Sequence, residues 1–80
     1  MPLRLVFRPY NLDGMRIFVN GENRELDIPV TVAELLRRYD LAPQRVAVEI
    51  NQQLVRRARF DDVKIADGDR IEIVTLVGGG

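Results

Sequence analysis

From Met15 onward the apolar and polar positions fall into short alternating runs broken by one helical stretch. Met15–Val19 (MRIFV) is rich in apolar and β-branched residues, as a strand requires. Asn20-Gly21 follows, the pair that most favours a tight hairpin because both residues tolerate positive φ. The returning strand places Arg24, Leu26 and Ile28 on one face and Glu25 and Asp27 on the other, until Pro29 stops it. Thr31 and Glu34 then make the T-x-x-E capping box that starts a helix. Val32, Leu35, Leu36 and Tyr39 follow at i, i+3, i+4 and i+7, a single apolar stripe, while Glu34, Arg37 and Arg38 face away. Pro43 lies beyond the helix end. Val46, Val48 and Ile50 alternate with Ala47 and Glu49 in a third strand. Asn51-Gln52-Gln53 reads as a turn and Leu54-Val55 as a brief extended piece. Phe60, Val63 and Ile65 anchor a loop-rich crossing to a second turn at Asp67-Gly68-Asp69. The last strand runs from Arg70 to Leu76. Ile71, Ile73, Val74 and Leu76 put apolar groups on both its faces, which suits a central strand or one with an exposed adhesive face.

The order of elements is strand, strand, helix, strand, short strand, strand. That is an α+β layout, one sheet with one helix across it. Compared with known folds, a hairpin, a helical crossover and a final strand returning to the middle of the sheet resemble the β-grasp, or ubiquitin-like, fold. The resemblance implies one mixed sheet of four to five strands with one helix packed across it.

Three segments are expected. Residues 1–14, MPLRLVFRPYNLDG, form an N-terminal leader or extension, residues 15–77 the β-grasp domain, and residues 78–80 a flexible glycine tail. In the first segment Leu3, Leu5 and Phe7 alternate as in a short strand, but Pro9 and the stretch from Asn11 to Gly14 end that pattern. Two readings fit it: an expression leader or upstream start codon before Met15, and an extra edge strand that shields the domain or makes an oligomer contact.

Eighty residues make one small domain, near the size at which a single core is only just sufficient. A hydrophobic fraction of 46% points to a folded chain rather than a disordered one. Twelve basic and twelve acidic residues cancel, so no global field draws the protein to nucleic acid or anionic lipid. With neither Cys nor His, the sequence holds no disulfide scaffold, no usual zinc site and no Cys- or His-based nucleophilic set. No spacing of Asp and Glu singles out a catalytic pair, so the chain is expected to enter chemistry as a substrate, not as an enzyme. No apolar run approaches the ~20 residues that span a bilayer, and no signal peptide is apparent. Neither a membrane nor a nucleic acid is therefore an expected partner, and the expected compartment is the cytoplasm.

The chain ends Leu76-Val77-Gly78-Gly79-Gly80, directly after the last strand. A terminal glycine run on an arbitrary protein is a frayed end or a cloning scar. Here it follows a compact domain whose last strand would carry it into solvent. Without Cβ atoms such a tail threads a narrow channel and accepts any φ an active site requires. Val77 to Gly80 extend ~13 Å, enough to bring a terminal carboxylate to a nucleotide buried in another protein. None of this chemistry needs a side-chain nucleophile on the carrier itself.

Met15 to Gly80 resembles the ThiS family, sulfur carriers of thiamine biosynthesis. The segments that carry the resemblance are MRIFVNGE, TVAELL, VAVEINQQLV and DGDRIEIVTLVGGG, and the last is the most specific. The leader departs from the family pattern. The resemblance implies that a ThiF-type adenylyltransferase uses ATP to adenylate Gly80, and that a sulfur-donating enzyme supplies the sulfur that converts it to a thiocarboxylate. A ThiG-type thiazole synthase then takes that sulfur for its ring. Gly80 is the modified residue in this reading, Gly79 the second member of the diglycine, and Gly78 completes the VGGG ending. No cofactor is expected on the carrier itself.

Two partner enzymes need a surface to recognise, and the outer face of the last strand is the candidate. Val74, Leu76 and Val77 are expected to contact partners, with Leu54 and Phe60 as further candidates, Phe60 being better suited to a core place. Arg70 and Glu72 are available as rim charges. Arg56, Arg57 and Arg59 form a small basic cluster, but no stacking aromatics stand beside it in the sequence as nucleic-acid binding would need. Alternatives are a MoaD-like sulfur donor subunit of molybdopterin synthase, with the same tail, and a non-catalytic β-grasp interaction module, which needs no free end. The EINQQLV segment and the VGGG ending resemble the thiamine carriers more than the molybdenum ones.

Overall fold

A hairpin opens the domain because Asn20 (φ 51°) and Gly21 (φ 84°) both take the left-handed conformation that a two-residue turn demands. The computed structural model describes residues 14–76, which form the sheet and the helix that covers it. The elements are β1 (Met15–Val19), β2 (Glu22–Leu26), α1 (Val32–Arg38), β3 (Val46–Ile50), β4 (Gln53–Val55) and β5 (Arg70–Thr75). Two short 3-10 turns, Pro43–Arg45 and Arg57–Arg59, punctuate the connections. The strand order is β2-β1-β5-β3-β4. Only the β1–β5 pair is parallel; the other three pairs are antiparallel. The mixed five-stranded sheet and its single described helix are the α+β, β-grasp arrangement that the sequence resembled.

One face of the sheet meets the helix. Ile17 and Val19 from β1, Val46 and Val48 from β3, and Ile71 and Ile73 from β5 pack against Val32, Ala33, Leu35 and Leu36 of α1. Leu26, Val30, Phe60 and Ile65 close the ends of this core, and no polar or charged residue is buried with it among the described residues. Tyr39, at the helix C-cap, packs half-buried at the margin of the stripe read from the sequence.

All four amide groups at the start of α1 find acceptors, which a seven-residue helix needs if it is to hold its ends. Val32 donates to the Val63 carbonyl and Ala33 to the Phe60 carbonyl, at 3.0 and 2.9 Å. Glu34 N–H donates to Thr31 Oγ1 at 3.1 Å, and Leu35 N–H to the Thr31 carbonyl at 3.0 Å. In return Thr31 N–H donates to the Glu34 carboxylate at 2.8 Å. That bond to the Thr31 backbone, aided by the Thr31 hydroxyl, Arg37 and Lys64, holds the Glu34 carboxyl below its ordinary value of 4.5 against the opposing effect of desolvation. A lowered folded-state pKa stabilises the fold above the unfolded value, and this contribution disappears as pH falls through the folded one. Glu34→Gln can accept the same bond but does not titrate. The stability advantage of the native chain over this variant is therefore expected to shrink as pH falls below 4.5, measured by urea unfolding across a pH series. A constant difference would contradict the capping geometry.

Two asparagines finish the ladder of β5. Along the parallel β1–β5 seam, Phe18 N–H donates to Asp69 O and Asn20 N–H to Ile71 O, at 3.0 and 2.8 Å. The turn then swings the Asn20 carbonyl away, and its side chain replaces it: Ile73 N–H donates to Asn20 Oδ1 at 2.7 Å, and Asn20 Nδ2 donates to the Ile73 carbonyl at 3.2 Å. On the opposite seam Asn51 (φ 53°) accepts from Arg70 N–H at 3.0 Å and donates to the Asp69 carboxylate at 3.0 Å. Asn20→Gly keeps the turn conformation and removes both side-chain bonds. It is expected to destabilise the domain by about 1–3 kcal/mol, the cost of leaving part-buried backbone groups unpaired, as read from chemical denaturation.

One boundary differs from the sequence expectation. The second strand ends at Leu26, not at Pro29, and Ile28 lies 57% exposed outside the sheet. Its partner strand begins at Met15, which pairs with Leu26, so the described ladder ends before Ile28. Gly14, at φ 70°, passes so close to the Leu26 carbonyl that an added Cβ would lie 2.5 Å from its oxygen. The expected contents of residues 1–13 and of Val77–Gly80 lie outside the described residues.

Candidate functional site

The two faces of β5 are unequal. Ile71 and Ile73 are buried against the helix, while Glu72, Val74 and Leu76 are exposed. Sheet position decides this assignment: β5 lies between β1 and β3, and the helix covers only the side on which Ile17 and Val48 also lie. Val74 is 57% and Leu76 47% exposed, so both residues expected to meet partners stand on the surface. Antiparallel register sets Val74 opposite Ala47 and Glu72 opposite Glu49, and Glu49 in turn lies opposite Leu54. The face that α1 leaves uncovered therefore gathers Val74, Ala47 and the 65%-exposed Leu54 around a pair of facing carboxylates.

Directly opposed like charges destabilise a ladder. Neither Glu49 nor Glu72 has an ion-pair partner among the described residues, whose pairs are Arg16–Glu25, Arg24–Glu22 and Arg59–Asp62. Such a face gains when a partner brings a cation between the two carboxylates and apolar groups onto Val74 and Leu54. At its other margin the Arg70 guanidinium lies over the Phe18 ring, 5.1 Å from the centroid, so Arg70 is partly engaged within the chain.

The chain's course beyond β5 is fixed at its last described step. Thr75 pairs with Val46, and Leu76 N–H donates to the Arg45 carbonyl at 2.7 Å. Leu76 is thus tied to the sheet at the margin of the exposed face. Val77, Gly78, Gly79 and Gly80 follow it and lie outside the described residues.

Phe60 does not belong to the candidate surface. It is 4% exposed, packs in the core, and its carbonyl accepts the Ala33 amide at the start of the helix. Arg56 and Arg59 stand beside β4, at the edge of the sheet and two strands from the central β5. The asparagine brackets were not anticipated as such; the signal for them was amide side chains at both left-handed turn positions. Among the described residues, no group of three or more His, Cys, Asp or Glu is placed to hold a metal ion, and no helix is long and apolar enough to cross a membrane.

Comparison with known proteins joins this geometry to a family. The model of the ThiS family matches residues 17–80. A thiazole synthase of Paramagnetospirillum magneticum is 38% identical over 66 residues, covering 82% of this chain but 20% of that protein. The chain thus spans about a fifth of the length of that relative. The sulfur carrier protein ThiS of Escherichia coli is 33% identical over 66 residues, covering 82% of this chain and 100% of that protein. The crystal structure of the thiamine biosynthesis protein ThiS from Geobacter metallireducens superposes with a TM-score of 0.72 at 35% identity, covering 82% of this chain and 100% of that one.

Proposed function

The chain belongs to the ThiS family, and on that premise we propose that it is a sulfur carrier for thiazole formation in thiamine biosynthesis, with the Gly80 carboxylate as the group that is charged. The observation that carries this reading is that the family match continues past the last described strand through residue 80, so the VGGG ending lies inside the matched span.

A carboxylate is a poor electrophile until its oxygen becomes a good leaving group. In the proposed sequence a Gly80 oxygen attacks the α-phosphorus of ATP in a ThiF-type adenylyltransferase, and pyrophosphate departs. Sulfide, delivered by a sulfur-donating enzyme, then attacks the acyl carbon and expels AMP, leaving a C-terminal thiocarboxylate. That soft nucleophile gives its sulfur to a ThiG-type thiazole synthase. The carrier contributes a thin tail and a handle, not a catalytic group, so it acts as co-substrate of other enzymes. Val74 and Leu76 on the exposed face, with Val77 beside them in sequence, supply the handle, and Glu49 and Glu72 orient a basic partner. Glycines at 78, 79 and 80 let the end pass where no Cβ fits. ATP is bound by the adenylating partner.

The first step has its own test. With a ThiF-type enzyme, ATP and labelled pyrophosphate, the chain is expected to support exchange of label into ATP, since adenylation is reversible until sulfur arrives. Exchange no faster than without the chain would overturn the reading.

A further inference from the structure

We infer that the free edge of β4 and the basic cleft beside it form a docking site for an extended acidic peptide segment of a partner protein. This site lies two strands away from β5, on the helix side of the sheet, and shares only Leu54 with the face that carries Val74.

Two features built from different parts of the chain meet there. The first is a strand edge. Among the described residues β4 is the last strand in the sheet and pairs only with β3. The turn of Asn51 and Gln52, with φ 53° and 70°, makes a two-residue hairpin in which Ile50 pairs with Gln53. Hydrogen-bonded and non-bonded pairs alternate from such a turn, so Gln53 and Val55 direct their amides to β3 while Leu54 directs its N–H and carbonyl outward. An outward pair of this kind is a template for one more strand. The second feature is the cleft of about 550 Å³ along this edge. Its apolar lining includes Ile50, Val55 and Val63, and Arg56, Arg59 and Lys64 supply positive charge.

The charges decide the occupant. Arg56 and Lys64 form no ion pair among the described residues, and Arg59 only a 3.6 Å exposed pair with Asp62. Lys64 does act on the exposed Glu34 carboxylate, but as the weakest of its influences. Asp69, the acid in the lining, has both oxygens engaged: one accepts from Asn51 Nδ2, the other from Ala66 N–H. The cleft is thus net positive in a chain whose total charge is zero. Its described lining contains no aromatic residue on which a base could stack, which favours a peptide over single-stranded nucleic acid. A strand added to β4 points every second side chain into the cleft. The matching pattern is acid, any residue, aliphatic, any residue, acid, with the aliphatic group on Val55 and Val63 and the acids at the cations.

The test uses the full chain, labelled with nitrogen-15, and a synthetic peptide with the core Glu-Thr-Val-Thr-Glu. Titration is expected to saturate, to shift the Leu54 amide resonance and to slow its hydrogen exchange, because that N–H gains an acceptor. Arg56→Gln and Lys64→Gln are each expected to weaken binding by about tenfold, the loss of one charge-assisted bond, while the unfolding midpoint stays unchanged. A Gln-Thr-Val-Thr-Gln peptide is expected to bind weakly. Absence of saturation, binding without protection of Leu54, equal binding of the neutral peptide, or tighter binding of an oligonucleotide would each overturn the inference.

Discussion

Deleting Gly79 and Gly80 is expected to abolish thiazole formation in a reconstituted system while leaving the folded domain intact. The two effects separate because β5 ends at Thr75, and Leu76, the last described residue, is already bonded to the Arg45 carbonyl. Removal of two residues withdraws the carboxylate by about 7 Å along an extended chain. An acyl-transfer site requires its reactants at near contact, and a misplacement of about 1 Å already costs on the order of a hundredfold. The loss is therefore expected to be complete. Appending a single alanine after Gly80 moves the carboxylate in the opposite direction and places a Cβ where none stood, and it is expected to be equally inactive. Unfolding curves of both variants should overlay that of the native chain. Thiazole formation by either variant would contradict the assigned role of Gly80. An interaction module with no chemistry at its end would tolerate both changes, so the experiment also discriminates that alternative.

Neighbouring substitutions on β5 should fail in opposite ways. Ile73 is 9% exposed and packs in the core, whereas Val74, one residue on, is 57% exposed on the face opposite α1. Ile73→Ser removes buried apolar volume and puts a hydroxyl in its place, at a cost of about 3–5 kcal/mol. A domain of this size has roughly 4–12 kcal/mol in total, so much of the cooperative transition should be lost. Val74→Ser alters only surface and strand preference, within about 1 kcal/mol. Its affinity for the adenylating enzyme should nevertheless fall about tenfold, since a buried valine contact is worth about 1.5 kcal/mol. Denaturation and titration calorimetry on the two variants measure both halves. If Val74→Ser bound normally, the docking face would have to lie elsewhere.

These assignments differ in how far the sequence could carry them. The hairpin at Asn20-Gly21 and the capping box of Thr31 and Glu34 were legible because each depends on local chemistry: positive φ in one case, orphan amides in the other. The end of the second strand was not. Leu26 and Ile28 have the same alternation, and only the position of Met15 on the partner strand decides which of them is paired. The two faces of β5 were equally ambiguous, since Ile73 and Val74 are alike in composition. Burial there follows from which side the helix covers, a tertiary fact. Asn20 and Asn51 announced turns, but their second role, completing the ladder of β5, depends on strands that meet at large sequence separation. The basic cleft joins the end of β4 to Val63 and Lys64 across the loop, a proximity no periodicity encodes. The glycine tail is the reverse case. Its chemistry is legible in residue type alone and lies outside the described residues.

The most direct measurement is the mass of the intact chain after incubation with ATP, a ThiF-type enzyme and a sulfide source. Exchange of one carboxylate oxygen for sulfur should raise it by about 16 mass units, with fragmentation placing the gain on Gly80. An unchanged mass, or a gain placed on any other residue, would contradict the account.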